Sequence, residues 1–287
     1  MMQYKKATPL ELAERTISPK NGIFLMGILN VTPDSFFAES RATNLDAALK
    51  KALEMVEDGA DIIDIGAEST RPGSSYVSAE EEIERLIPFL KLFRKHSDCP
   101  VSIDTRKFSV FKSAVEEGAD ILNDISALED SPELAPYCAK KKLPVILMHK
   151  REKPDVMMQK VCYNDAVKEI SAYLKERAEF AIKNGIAKEK IILDPGIGFA
   201  KDFETNCKII KHTSDFGLDG QFPVLIGASR KKCVGQLTGR ETEERLAGTL
   251  AIHQLAVLHG AQYIRAHDVK ETADMLKTLK GIECDVI

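Results

Sequence analysis

A short phrase recurs along the 287-residue chain and narrows what it can fold into. Glu57-Asp58-Gly59-Ala60-Asp61 runs into Ile62-Ile63-Asp64-Ile65, and Glu117-Gly118-Ala119-Asp120 runs into Ile121-Leu122-Asn123-Asp124. His259-Gly260-Ala261-Gln262 runs into Tyr263-Ile264-Arg265, and a looser copy, Lys183-Asn184-Gly185, precedes Lys190-Ile191-Ile192-Leu193-Asp194. Each time an amphipathic stretch ends at a glycine able to take the left-handed conformation just past a helix. The aliphatic run that follows is too apolar to have a wet face, which suits a parallel strand covered on both sides. Helix, glycine, then buried strand is the second half of a βα unit, and its repetition implies a parallel sheet.

Extended to the whole chain, the pattern predicts eight strands, at about residues 23–29, 61–66, 100–104, 120–124, 144–148, 190–194, 222–228 and 261–266. Helical periodicity fills the gaps at about 44–58, 79–97, 108–117, 131–142, 163–184, 203–213, 242–259 and 269–280. Strict alternation of eight strands and eight helices predicts an α/β chain folded as a (β/α)8 TIM barrel. Such a barrel takes roughly 250 residues, so one domain over 1–287 is expected, with the barrel at about 23–280 and a short N-terminal lead-in. A doubly wound open sheet is the alternative, but it more often carries a glycine-rich phosphate loop after the first strand. Asn30-Val31-Thr32-Pro33-Asp34 stands there instead.

Composition excludes several classes of function. The net charge of −4 and dispersed basic residues give no nucleic-acid or membrane surface. Six cysteines without a CxxC pair disfavour a zinc site and read as reduced thiols. The N-terminal residues lack the apolar core of a secretory signal, and no apolar run reaches the length of a spanning helix. A soluble, cytoplasmic protein is expected.

In a TIM barrel the active site lies at the carboxyl ends of the strands. Those ends carry Asn30, Asp104, Asn123-Asp124, Met148-His149, Asp194, Ser229-Arg230-Lys231 and Arg265 with His267; Glu68-Ser69-Thr70-Arg71 follows the second strand. One polar residue after a strand means little, since Thr105, for example, can cap the next helix. Seven or eight converging on one mouth form a polar cup. Asp104, Asn123 and Asp194 are short groups suited to in-plane hydrogen bonds with a flat heterocycle. Arg265 and Lys231 suit stacking or hydrogen bonding on its ring, and Asn30, Thr70, Arg71, Arg265 and His267 offer donors to a phosphate or pyrophosphate. A pterin or a purine-like ring fits this set, and no Cys or Ser nucleophile with a neighbouring His stands out. His149 reads more readily as a satisfied structural histidine than as a catalytic one.

Met26-Gly27-Ile28-Leu29-Asn30-Val31-Thr32-Pro33-Asp34-Ser35-Phe36 resembles the first strand and loop of dihydropteroate synthases. Asp64-Ile65-Gly66-Ala67-Glu68-Ser69-Thr70-Arg71-Pro72-Gly73, Ser102-Ile103-Asp104-Thr105, Leu193-Asp194-Pro195-Gly196-Ile197-Gly198-Phe199, Gly227-Ala228-Ser229-Arg230-Lys231 and Arg265-Ala266-His267-Asp268 are similar to the same family. The resemblance implies condensation of 6-hydroxymethyl-7,8-dihydropterin pyrophosphate with p-aminobenzoate by dissociative displacement, using Mg2+, in a homodimer. Asp104, Asn123, Asp194 and Lys231 would then hold the pterin, with Met148 packed near it and Arg265 stacked on it. Asn30, Thr70, Arg71, Arg265 and His267 would bind pyrophosphate, with Asn30 near the metal. Phe36, Thr70, Arg71, Phe199, Ser229 and Lys231 would shape the p-aminobenzoate pocket, and Asp104, Lys231, Arg265 and Asn30 would carry the catalysis. Loops 31–43 and 69–78 are expected to close over the reaction. Phe37-Ala38-Glu39-Ser40 and Lys150-Arg151-Glu152 depart from the family pattern. A methyltetrahydrofolate-dependent methyltransferase uses a similar barrel but has no reason to keep a pyrophosphate site.

Overall fold

A computed structural model describes residues 4–31, 41–68, 76–151 and 163–283. The chain opens with a small antiparallel pair, β1 (Leu10–Glu11) and β2 (Thr16–Ile17). Eight parallel strands follow: β3 (Phe24–Asn30), β4 (Ile62–Gly66), β5 (Val101–Asp104), β6 (Ile121–Asp124), β7 (Val145–Met148), β8 (Ile191–Asp194), β9 (Leu225–Ile226) and β10 (Tyr263–Ala266). Their order is β8-β7-β6-β5-β4-β3-β10-β9. A parallel bridge between Leu193 and Val224, with Leu193 N–H donating to the Pro223 oxygen at 2.9 Å, joins the two ends. The sheet is therefore a closed barrel, which leaves no edge exposed.

The glycines that prompted the parallel reading behave as expected. Gly59, Gly118, Gly185 and Gly260 all have positive φ, from 93° to 111°, where a side chain would be strained. The surrounding helices are α1 (Arg41–Glu57), α2 (Ala79–Arg94), α3 (Phe108–Glu116), α4 (Leu134–Lys141), α5 (Ala166–Lys183), α6 (Phe203–Lys211), α7 (Lys232–Thr238), α8 (Leu246–Leu258) and α9 (Val269–Glu283).

Two differences from the sequence expectation have physical causes. Residues 222–228 form only a two-residue strand, because Pro223 cannot donate and the chain leaves the sheet after Ile226 toward the Ser229-Arg230-Lys231 turn. The short α7 escapes periodicity because it carries Gly235, where a β-carbon would come within 2.5 Å of the Arg245 guanidinium. Gly248 of α8 likewise admits Val234 and Thr238 of α7, so the two helices pack with their backbones close together.

Period-two alternation divides the core in two. Outward residues such as Leu25, Ile63, Ile103, Leu122, Val145 and Ile264 pack under the helices. Inward residues Phe24, Met26, Ile62, Ile121, Ile146, Ile192, Leu225 and Tyr263 fill the barrel together with Ala7, Leu10 and Leu12 from the lead-in. The N-terminal segment is thus a plug under the strand starts. Lys190 pins it there by donating to the backbone oxygens of Glu11 (2.7 Å) and Leu12 (3.2 Å).

Candidate active site at the strand carboxyl ends

The alternation that fills the barrel floor also turns the polar strand ends inward. Sheet register places Asn30 beside Gly66, Gly66 beside Asp104, and Asp104 beside Asn123; on β7 and β8, Met148 lies beside Asp194. Gly66 keeps this row open. A β-carbon there would lie 3.6 Å from Cβ of Asp104 and 3.7 Å from Oδ1 of Asn30.

One level below, Asp64 organises the cup. This carboxylate is fully buried and accepts from Arg265 Nε at 2.6 Å and from Asn123 Nδ2 at 3.2 Å on each oxygen. Arg265 Nη2 donates to Oδ2 of Asp104 at 2.9 Å, so one guanidinium bridges two carboxylates. Arg265 lies inside the mouth, with its side chain 20% exposed. With the Asn123 amino group turned down to Asp64, its carbonyl oxygen is the end offered to the mouth. Asp104 Oδ1 is buried and makes no hydrogen bond within the protein. Burial pushes the Asp104 carboxyl up to about 7; Arg265 opposes this, and Asp64, Glu82 and Asp124 reinforce it. Asp124, beside Asn123 in sequence, points away and holds its own loop through Ser126 and Leu128.

Across the cup, burial raises the Asp194 carboxyl, while Lys231 and the Gly196 N–H (2.7 Å from Oδ1) draw it down. Lys231 donates to the backbone oxygen of Ile197, and its ammonium lies 4.7 Å from the centre of the Phe199 ring. Burial lowers Lys231 to about 8 against the pull of Asp194. Ser229 and His267 are joined: the His267 N–H donates to Ser229 Oγ at 3.1 Å, and His267 Nδ1 lies 3.0 Å from the same oxygen. Between Ser229 and Lys231, Arg230 takes a φ of 55° that few non-glycine residues adopt. Thr249 Oγ1 accepts its N–H, Arg245 donates to its oxygen, and Asp268 accepts two bonds from its guanidinium.

The structure thus brings together Asn30, Asp104, Asn123, Met148, Asp194, Phe199, Ser229, Lys231, Arg265 and His267 at one end of the barrel. Phe36, Thr70 and Arg71, with most of loops 31–43 and 69–78, lie outside the described residues. Sequence reasoning missed Asp64 and Lys201. The signal for Asp64 is a lone carboxylate inside Ile-Ile-Asp-Ile, on the same face as Gly66. His149 follows the structural reading: it is buried, and burial together with Lys201 lowers its imidazole to about 2.

A barrel mouth lined with amides and carboxylates, with Arg265 and Lys231 set among them, defines an enzyme built to hold a flat nitrogen heterocycle. The family described as "Pterin binding enzyme" matches residues 26–267, and the chain belongs to that family. It is 41% identical to dihydropteroate synthase of Bacillus subtilis across 93% of this chain and 90% of that one. It is also 41% identical to dihydropteroate synthase of Escherichia coli K12, over 90% of each chain. The solved Xanthomonas albilineans dihydropteroate synthase with 4-aminobenzoic acid superposes with a TM-score of 0.88 at 38% identity, covering 97% of this chain and 98% of that one. The same enzyme with 7,8-dihydropteroate gives 0.85 at 37% identity, covering 98% and 100%.

Proposed function

We infer that this chain works as a dihydropteroate synthase, joining p-aminobenzoate to 6-hydroxymethyl-7,8-dihydropterin pyrophosphate. The observation that carries the reading is the Asp64–Arg265–Asp104–Asn123 cluster. It presents a buried, unpartnered carboxylate oxygen and a fixed amide oxygen at ring depth. Both accept hydrogen bonds, as the N–H groups of a pterin require, and an unpaired buried acceptor gains most from such a ligand. Asp194 supplies a third acceptor, Lys231 a donor, and Met148 an apolar wall.

In the reaction the bond from the pterin methylene to pyrophosphate oxygen breaks, and a bond from that carbon to the arylamine nitrogen forms. The nitrogen releases a proton. Positive charge builds on the pterin as pyrophosphate departs, and the Asp104 carboxylate is preorganised to stabilise it. Ser229, Lys231 and Phe199 border the place where the amine must lie. It needs orientation more than activation. His267 and Arg265 face the leaving group, and Thr70 and Arg71 are assigned to it as well. Phe36, Thr70 and Arg71 are proposed to complete the p-aminobenzoate pocket.

Asn30 is the proposed Mg2+ contact. Mg2+ takes few protein oxygens and completes its shell with water and phosphate, so a single amide at the strand end suits it. When bound, the ion neutralises pyrophosphate charge. The sulfonamide complex of the Yersinia pestis enzyme, at 38% identity, suggests the same class of inhibitor here.

We also propose a homodimer through α7 and α8. Leu237 is 56% exposed and Leu255 41%, and exposed Ala247 and Ala251 continue the Leu255 line. No described helix is long and apolar enough to cross a membrane. We place the protein in the cytoplasm, in keeping with free thiols at Cys99, Cys138, Cys207 and Cys233.

Purified protein given both substrates and Mg2+ is expected to form dihydropteroate and pyrophosphate. Failure by protein with a native melting profile would overturn the assignment.

A further inference from the structure

Lys201 has no part in the chemistry above, yet its ammonium is fully engaged beside the site. Nζ lies 3.0 Å from His149 Nδ1, 3.2 Å from the His149 oxygen and 3.0 Å from the Phe199 oxygen. Two of these partners are carbonyls, which only accept, so two N–H bonds are committed to them. The third N–H is left for the imidazole nitrogen. In its ammonium form, which Asp194 favours against a burial that lowers Lys201 to about 7, it satisfies all three partners at once and leaves His149 neutral, with its proton on Nε2. The low affinity of this imidazole for a second proton agrees with that arrangement.

The backbone is fitted to the same contact. Gly196 has a φ of 71°, and a β-carbon there would collide with the His149 oxygen and lie 3.3 Å from Nζ. The His149 N–H in turn donates to the Asp194 oxygen at 2.9 Å. Met148 and Asp194 are already paired in the sheet, and beyond that last rung Lys201 ties the turn that carries Phe199 to the end of β7.

We propose that Lys201 is a positioning residue of the pterin subsite: its ammonium fastens the turn after β8 to the end of β7, holding the backbone just beyond the paired Met148 and Asp194 in the shape a flat bicyclic ring needs. This rests on the functional reading above. A lysine that only stabilises the loop would alter melting without altering ligand affinity.

The test compares full-length wild type, Lys201→Met and Lys201→Gln. Calorimetry measures the affinity for pterin pyrophosphate with Mg2+, steady-state kinetics give KM and kcat, and side-chain nitrogen NMR reports the His149 tautomer. Wild type is expected to show His149 neutral with the proton on Nε2, and Lys201→Met to shift the Nδ1 resonance as its donor disappears. Affinity and KM for the pterin substrate should worsen by about tenfold or more in Lys201→Met, with kcat changed far less. Lys201→Gln keeps two N–H donors and should fall between the two. If Lys201→Met fails to fold, Lys201→Gln against wild type carries the comparison. Folded variants that keep wild-type affinity within roughly twofold would overturn the proposal. If wild type itself binds no pterin pyrophosphate, the functional reading fails, and an unchanged His149 Nδ1 resonance in Lys201→Met would separately refute the clamp.

Discussion

Replacing Asp64 by Asn keeps the shape of the buried side chain and changes only which atoms donate. One amide oxygen can still accept from Arg265 Nε, now 2.6 Å from a carboxylate oxygen. The amide nitrogen must then face Asn123 Nδ2, which lies 3.2 Å from both carboxylate oxygens in the native protein. Two donors meet, and the cheapest relief is rotation of the Asn123 amide, which would present an amino group to the mouth where a carbonyl oxygen stood. A pterin N–H then finds a donor in place of an acceptor. Losing one such bond and leaving the group unpaired costs about 1–3 kcal/mol. At 1.36 kcal/mol per tenfold change, this corresponds to a roughly 5- to 150-fold loss in kcat/KM for the pterin substrate. Fold stability should change much less, because two buried carboxylates share one guanidinium and removing one charge also relieves their repulsion. Initial-rate kinetics over both substrates, with a melting curve for each protein, check this. An Asp64→Asn enzyme with unaltered pterin kinetics and a native melt would refute the polarity argument.

Asp104→Asn should cut turnover by about a hundredfold or more while the melt stays native, since the carboxylate acts on developing charge; equal turnover would remove it from the mechanism. Leu10→Ala should cost about 2–5 kcal/mol in urea denaturation, because Leu10 is 2% exposed inside the plug, with kcat at 25 °C kept; an unchanged midpoint would mean the plug carries little stability. His253 is buried with neither ring nitrogen bonded, and burial lowers its pKa to about 3. Below pH 6.5 the unfolded chain takes up a proton that the folded one refuses, so this residue removes stability as pH falls, by about 1.4 kcal/mol per unit. Raised carboxyls such as Asp194 act in the opposite sense, so the comparison is the difference between wild type and His253→Leu at pH 7 and pH 5. Identical pH dependence in the two would overturn the assignment.

What the sequence made legible follows the physics that is local. A helix end, a glycine with positive φ and a doubly buried strand are all encoded within about ten residues, so the barrel could be read from Gly59, Gly118, Gly185 and Gly260. Strand ends could be read too, because the fold dictates where they gather. Pairings across the barrel could not. Nothing near Asp64 in sequence announces Asn123 or Arg265, which reach it only after closure. Lys201 was hidden in the same way, since its partner His149 lies 52 residues earlier. The lead-in hairpin has strands of two residues, too short for alternation to register. In α7 the glycine that admits Arg245 also erased the helical signal.

The plug of Ala7, Leu10 and Leu12 settles how traffic must run. Packed side chains seal the floor of the barrel, so everything bound at the depth of Asn123 and Asp194 enters and leaves by one door. With the arylamine assigned to the shallower ground by Ser229 and Phe199, the proposed site calls for the pterin to be seated first. The product, spanning both depths, has to withdraw whole before the next pterin can descend, so the closed floor imposes queueing on the active site without any residue dedicated to it.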